Sequence, residues 1–187
     1  CQNAVLLDGG GSTTLVSTYP DYGTSSSVNS PSEGTPRSVS NAIFLVSNLK
    51  ATGKAGSLYV TPKSLTLMPG ASTQCVATAV DTGWWPMSSL PGAVTWSAAE
   101  GSVTTDGTFT APQKAGVYTV TAESGGVKGS TNITVLQPTA IYVTNQATKK
   151  NVSTLTLAPG QSVDLAAAAA YRSVGLTGSD RCFTWTA

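Results

Sequence analysis

The chain has 187 residues, enough for one or two domains, and sets 10 Lys and Arg against 9 Asp and Glu for a net charge of +1. That balance offers no basic footprint for nucleic acid or for an anionic membrane surface, and no apolar run approaches the roughly 20 residues of a bilayer span. Histidine is absent, which excludes Ser-His-Asp and Cys-His nucleophiles and His-ligated zinc within these residues.

Charged residues make up only 10% of the chain, where about a quarter is usual. Gly, Ser, Thr, Ala and Val dominate instead, the composition expected of an all-β extracellular protein. No signal peptide is recognisable, so Cys1 is expected to be a mature or cut end. Cys1, Cys75 and Cys182 have no metal-ligand spacing. Neither a metal nor a cofactor is expected, and any catalysis must run on Asp, Glu, Arg, Lys, Tyr, Ser or Thr.

In chain order, "QNAVLLD" (2–8) reads as a buried strand, "GGGS" (9–12) as a tight connection and "TTLVSTY" (13–19) as a second strand. A polar stretch (20–37) leads into "SVSNAIFLVSNL" (38–49), a strongly apolar strand. Asp8 ends an apolar run, so partial desolvation is expected to raise its pKa towards acid–base duty. Gly9, Gly10 and Gly11 carry no Cβ and allow φ > 0, which lets backbone N–H groups crowd around a phosphate or a sugar. Arg37 presents a planar fork suited to a phosphodiester oxygen pair. Plainer roles stay open: Asp8-Gly9 as a hairpin turn, Ser12 and Thr13 as turn caps, and Arg37 as a solvated loop charge.

Two blocks, "NAVLLDGGGSTTLV" (3–16) and "VNSPSEGTPRSVSNAIFLV" (28–46), stand in a fixed order with a set gap. The second contains Asn29-x-Pro31 followed by Arg37-x-Val39-x-Asn41-Ala42. Together they resemble the C-terminal portion of the phosphodiester glycosidase family, the N-acetylglucosamine-1-phosphodiester alpha-N-acetylglucosaminidase-like enzymes. The resemblance implies that residues 1–50 are a β-rich fragment of a much longer α+β domain, whose absent part would supply further active-site groups. It also implies catalytic roles for Asp8, as acid–base or positioning carboxylate, and for Arg37, as phosphate clamp. Gly9, Gly10, Gly11, Ser12 and Asn41 fall at its substrate-binding positions. The strands at 3–8, 13–19 and 38–47 are expected in one sheet, with Asp8 and Arg37 in one cleft.

Residues 56–137 hold seven short strand signals: 57–62, 64–70, 72–81, 93–98, 101–112, 116–124 and 129–137. Val117, Thr119 and Thr121 alternate with Tyr118, Val120 and Ala122, the period of a half-buried strand. Turn residues such as Pro69-Gly70, Asp106-Gly107 and Gly125-Gly126 separate the signals. Seven strands with Trp96 on the middle one describe an immunoglobulin-like β-sandwich. Trp96 is expected to be buried, with Leu65, Leu67, Val76 and Val120 near it. "LTLMPG", "VTWSA", "GTFTAP" and "AGVYTVTA" resemble bacterial immunoglobulin-like domains. Cys75 has no cysteine facing it, since Thr119, Val120 and Thr121 occupy the late strand, and it reads as a small buried apolar residue. Trp84-Trp85 suits either a carbohydrate platform or loop packing. The sequons at Asn132 and Asn151 read as strand or loop residues.

The pattern then repeats. Leu155 stands 90 residues after Leu65, Pro159-Gly160 stands 90 after Pro69-Gly70, and Trp185 stands 89 after Trp96. A period of this size is that of a small domain. Residues 139–187 thus read as the first half of a second sandwich, too small to bury an adequate core alone. Its remainder is expected from the rest of the parent polypeptide or from a neighbouring subunit. The expected class is therefore mainly β: a glycosidase fragment (1–50), a sandwich (56–137) and a truncated second sandwich (139–187). Two functions follow. The first is a secreted or cell-surface phosphodiester glycosidase acting on sugar-phosphodiester linkages of glycans, with the sandwiches as spacers. The second is a non-catalytic structural subunit of an extracellular or surface assembly.

Overall fold

The computed structural model describes residues 13–20, 25–38, 42–44 and 48–186. It is almost entirely β. The described residues fall into two compact units, one drawn from 1–56 and 78–89, the other from 57–77 and 90–187.

In the first unit β1 (Val16–Thr18) pairs antiparallel with β2 (Ser25–Ser27), with Val16 opposite Ser27. Asn29 extends this ladder with its side chain: its Oδ1 accepts the Leu15 N–H at 2.7 Å and its Nδ2 donates to the Thr13 carbonyl at 2.7 Å. The strand expected at 13–19 is thus three residues long, and its partner lies inside the polar stretch. The strand expected at 3–8 lies outside the described residues. Of the stretch 38–47, residues 38 and 42–44 are described, and they run outside any strand with Ile43 and Phe44 exposed. No described strand runs beside them to supply a ladder.

The chain passes between the units within β3 (Ala55–Thr61) and again, after β4 (Thr66–Leu67) and β5 (Ser72–Gln74), within β6 (Val76–Asp81). Then come β7 (Thr95–Ala98), β8 (Ser102–Val103), β9 (Thr108–Thr110), β10 (Gly116–Ser124) and β11 (Val127–Val135). The second unit is built as a sandwich, with one sheet in the order β4-β11-β10-β7 and another in the order β5-β9-β8. β10 and β11 form the longest ladder, from Gly116 opposite Val135 to Ser124 opposite Val127. Gly125 and Gly126, at φ 56° and 82°, close it. Two left-handed residues in a two-residue loop match the twist of the flanking strands.

Alternation along β10 buries Tyr118, Val120 and Ala122, and along β11 it buries Thr131, Ile133 and Val135. Leu58, Val60, Leu67 and Phe109 complete the core. Gly129 admits Leu58 against the β11 backbone, since a Cβ there would lie 1.9 Å from the Leu58 carbonyl oxygen. Glycine inside a strand often marks such an approach. Asp106 turns the chain between β8 and β9. The hydroxyls of Thr104 and Thr108 donate to its carboxylate and hold its pKa below the ordinary range.

Three sequence expectations change here. The strand expected over 72–81 breaks at Cys75, whose N–H donates to the Gly107 carbonyl at 2.9 Å, so β5 joins β9 while β6 leaves that sheet. Cys75 itself is buried and unpaired, and burial pushes its thiol pKa up. Trp96 is half-buried rather than central, and Val76 is 52% exposed. The reason is sheet order: β7 lies at the margin of its sheet and pairs with β10 alone. Phe109, fully buried, takes the centre instead.

The second copy forms β12 (Ala140–Asn145), β13 (Leu165–Tyr171) and β14 (Val174–Leu176), an antiparallel sheet in that order. Residues 154–157, the repeat counterpart of 64–67, are irregular, and Leu157 is 47% exposed where its counterpart Leu67 is fully buried. Leu67 is buried because β4 lies beside β11, with Leu67 opposite Val135; among the described residues no strand lies beside 154–157 in this way. Where the first copy has β7, the second has a 3-10 turn (Asp180–Cys182) followed by residues 183–186 outside any strand, with Trp185 half exposed. After β14, Thr177 docks on β4: its N–H donates to Thr66 and its carbonyl accepts from Met68, both at 2.9 Å.

Candidate functional site

Asp8, Gly9, Gly10, Gly11, Ser12 and Asn41 lie outside the described residues. Arg37 is described, and its guanidinium faces a carboxylate of its own loop. Its Nε donates to Glu33 Oε2 at 2.7 Å while its Nη2 donates to Glu33 Oε1. The fork assigned from sequence to a phosphodiester is therefore bidentate to Glu33, four residues earlier, which the sequence pattern did not single out. The spacing was the available signal, since residues four apart on a coiled segment can meet. Both side chains are solvent-exposed. Such exposed pairs contribute only about 0.2–1 kcal/mol.

The most elaborated polar cluster of the same unit centres on Asp81, at the end of β6. Asp81 is buried. Its Oδ1 accepts the N–H groups of Gly83 at 2.8 Å and Trp85 at 2.9 Å. Its Oδ2 accepts those of Thr52 and, at 3.1 Å, Gly53. Burial works to raise the carboxyl pKa, but the donors of Trp85, Thr52, Gly53 and Gly83 outweigh it and lower the value to about 2. Four donors occupy the roughly four lone-pair sites of a carboxylate. Asp81 therefore stays ionised and fully engaged; it ties the segment at 52–53 to the turn at 82–85 and is not an acid–base group.

That turn is a three-residue hairpin loop. The Asp81 N–H donates to the Trp85 carbonyl at 2.9 Å, and the Trp84 N–H returns to the Asp81 carbonyl at 3.0 Å. Loops of this length end on a left-handed residue, usually glycine. Here Trp84 takes that place at φ 64°, a strain of about 1–3 kcal/mol. Gly83 beside it cannot be larger, because a Cβ would lie 2.3 Å from the Lys50 carbonyl oxygen. Trp85 is pinned through its ring N–H to the Leu49 carbonyl at 2.8 Å. Asp-x-Gly at a strand end was the sequence signal for this cluster, and only the folded chain brings Thr52 and Gly53 to it.

The second unit has a cleft of about 350 Å³ bordered by Met68, Gln113, Ile141, Cys182, Phe183 and Trp185. Its described lining is apolar side chains, the amides of Gln113 and Gln137, Thr184 and the Cys182 thiol, with no carboxylate or cation among them. Among the described residues no cluster of three or more His, Cys, Asp or Glu side chains converges to hold a metal. Among them too, no helix is long and apolar enough to cross a membrane.

Residues 1–46 match the model of the phosphodiester glycosidase family. The chain is also 36% identical over 158 residues to Ice-binding protein 1 of Shewanella frigidimarina (strain NCIMB 400), a match that covers 81% of this chain and 18% of that protein. The chain thus spans about a fifth of the length of that curated relative.

Proposed function

We propose that the chain is a piece of a secreted or cell-surface phosphodiester glycosidase, in which residues 1–50 belong to the hydrolase domain and two immunoglobulin-like modules, 56–137 and 139–187, follow as spacers. The observation that carries this reading is the family match over residues 1–46, which includes both "DGGGS" and Arg37. The substrate class is a sugar joined through its anomeric carbon to a phosphodiester in a glycan. In the intact domain Asp8 serves as acid–base or positioning carboxylate. Gly9, Gly10, Gly11 and Ser12 cradle the phosphate or sugar, Asn41 adds a polar contact, and Arg37 exchanges Glu33 for the phosphodiester. The immunoglobulin-like character of 56–137 is supported by Tyr118, whose hydroxyl donates to the Lys114 carbonyl at 2.8 Å. A tyrosine tied back to upstream backbone at the start of a late strand is a hallmark of such sandwiches.

The test is kinetic. In the full-length protein Asp8→Asn is expected to abolish hydrolysis of an N-acetylglucosamine-1-phosphodiester while leaving the melting temperature unchanged, and Arg37→Lys to raise KM, because an ammonium replaces a bidentate fork. Full activity in Asp8→Asn overturns the catalytic role of Asp8. A second reading, a non-catalytic module of a bacterial surface protein, is favoured by the breadth of the match to Ice-binding protein 1, which extends over most of the chain. Absence of any sugar-phosphodiester hydrolysis by the full-length protein would select it.

A further inference from the structure

The sandwich repeat contains its own control for the tryptophan turn. In the second copy the corresponding hairpin sets Ala170 opposite Gly175 and Tyr171 opposite Val174, across the two-residue turn Arg172-Ser173. In the first copy Val80 faces Pro86, and the loop between is one residue longer, with Thr82, Gly83 and Trp84 at its tip. The repeat spacing falls from 90 at Pro69 to 89 at Trp96, consistent with the additional residue being here. The hairpin therefore forms without a tryptophan, and the sandwich does not demand one.

What the turn does is present Trp84. Asp81 clamps the loop through four backbone N–H groups, and Trp85 buttresses it through Leu49. Trp84 stands 73% exposed at a left-handed position that glycine would fill without strain. A rigid loop that carries a strained, exposed indole loses little freedom when the indole meets a ligand. The turn belongs to the same compact unit as the described residues of the glycosidase-matched segment.

We propose that Trp84 is a sugar-stacking residue, whose indole face receives the apolar C–H face of a pyranose ring of the glycan. The choice of a sugar as ligand rests on the glycosidase reading; the presentation of the indole does not. Aromatic faces suit this role because they offer a large flat apolar area on a stiff side chain.

The experiment uses the 187-residue chain, isotope-labelled at its four tryptophans, with the β-1,4-linked N-acetylglucosamine trimer as probe. The Trp84 indole N–H signal is expected to shift saturably with a Kd of about 1–10 mM, while the Trp185 signal stays in place. Trp84→Gly relieves the left-handed strain, so it is expected to melt no lower than the parent yet bind at least about tenfold more weakly. No shift of Trp84 up to about 50 mM probe, or undiminished binding by Trp84→Gly, overturns the proposal. The two readings separate cleanly. Loss of hydrolysis in Asp8→Asn without trimer binding leaves the glycosidase and removes the stacking site. Trimer binding with no sugar-phosphodiester hydrolysis by the full-length protein does the reverse.

Discussion

Gly129→Ala tests whether β11 and the Leu58 segment meet as closely as the structure shows. The added methyl would lie 1.9 Å from the Leu58 carbonyl oxygen and 2.6 Å from its carbon, where ordinary contact begins near 3.4 Å. Relief therefore requires a backbone displacement of roughly 1.5 Å, far beyond what rotamer adjustment supplies. Neither side yields readily: β11 is registered against β10 along its whole length, and Leu58 and Val60 are both buried. Overpacking of a well-filled core costs about 1–3 kcal/mol, and a backbone-on-backbone clash belongs at or above the top of that range, at about 3 kcal/mol. For a unit of this size that corresponds to a fall of roughly 10 °C in Tm. Thermal and urea unfolding followed by circular dichroism give the number. Two substitutions calibrate it. Gly175→Ala meets nothing within 4 Å and has no left-handed φ, so it is expected within about 0.5 kcal/mol of the parent. Gly126→Ala also meets nothing but sits at φ 82°, for about 1 kcal/mol from strain alone. A Gly129→Ala protein as stable as Gly175→Ala would refute the close approach.

Corresponding positions of the repeat should respond unequally: Leu67→Ala is expected to cost about 2–5 kcal/mol and Leu157→Ala less than about 1 kcal/mol by urea titration of the 187-residue chain. Asp81 has a pKa lowered to about 2 in the folded chain, below the unfolded value of about 3.9. Its contribution to stability is therefore fully present above about pH 5 and lost as pH falls through 4 towards 2. Thermal melts across that range should show the Asp81→Asn variant less stable at neutral pH and losing less on acidification; parallel losses in variant and parent would count against the clamp. Trp96→Ala, at the sheet margin, is expected to cost about 2 kcal/mol, against about 3–5 kcal/mol for Phe109→Ala in the core, with equal costs contradicting the assigned sheet order.

From the residues alone, the strands of 56–137 are legible because side-chain alternation is a local property. Val117, Thr119 and Thr121 face outward and Tyr118, Val120 and Ala122 inward, as the period requires. Gly125-Gly126 likewise announces its turn, since two left-handed residues in sequence suit glycine. The same locality explains what the sequence left open. Leu67 and Leu157 sit in nearly identical words, yet one is buried by Val135 of β11 and the other has no such neighbour among the described residues. Nothing within "STQCVATAVD" marks a break at Cys75, because the break serves Gly107, more than thirty residues away. Trp96 looks central in the sequence and lies at a margin, because sheet order depends on which strands find each other. The site divides the same way. The reading of "DGGGS" and Arg37 rests on residue types alone, whereas the Glu33 side chain that Arg37 meets and the four N–H donors that hold Asp81 appear only in the folded chain. Residue type and periodicity are set by neighbours along the chain; burial, charge state and partnership are set by neighbours in space, and only the tertiary structure chooses those.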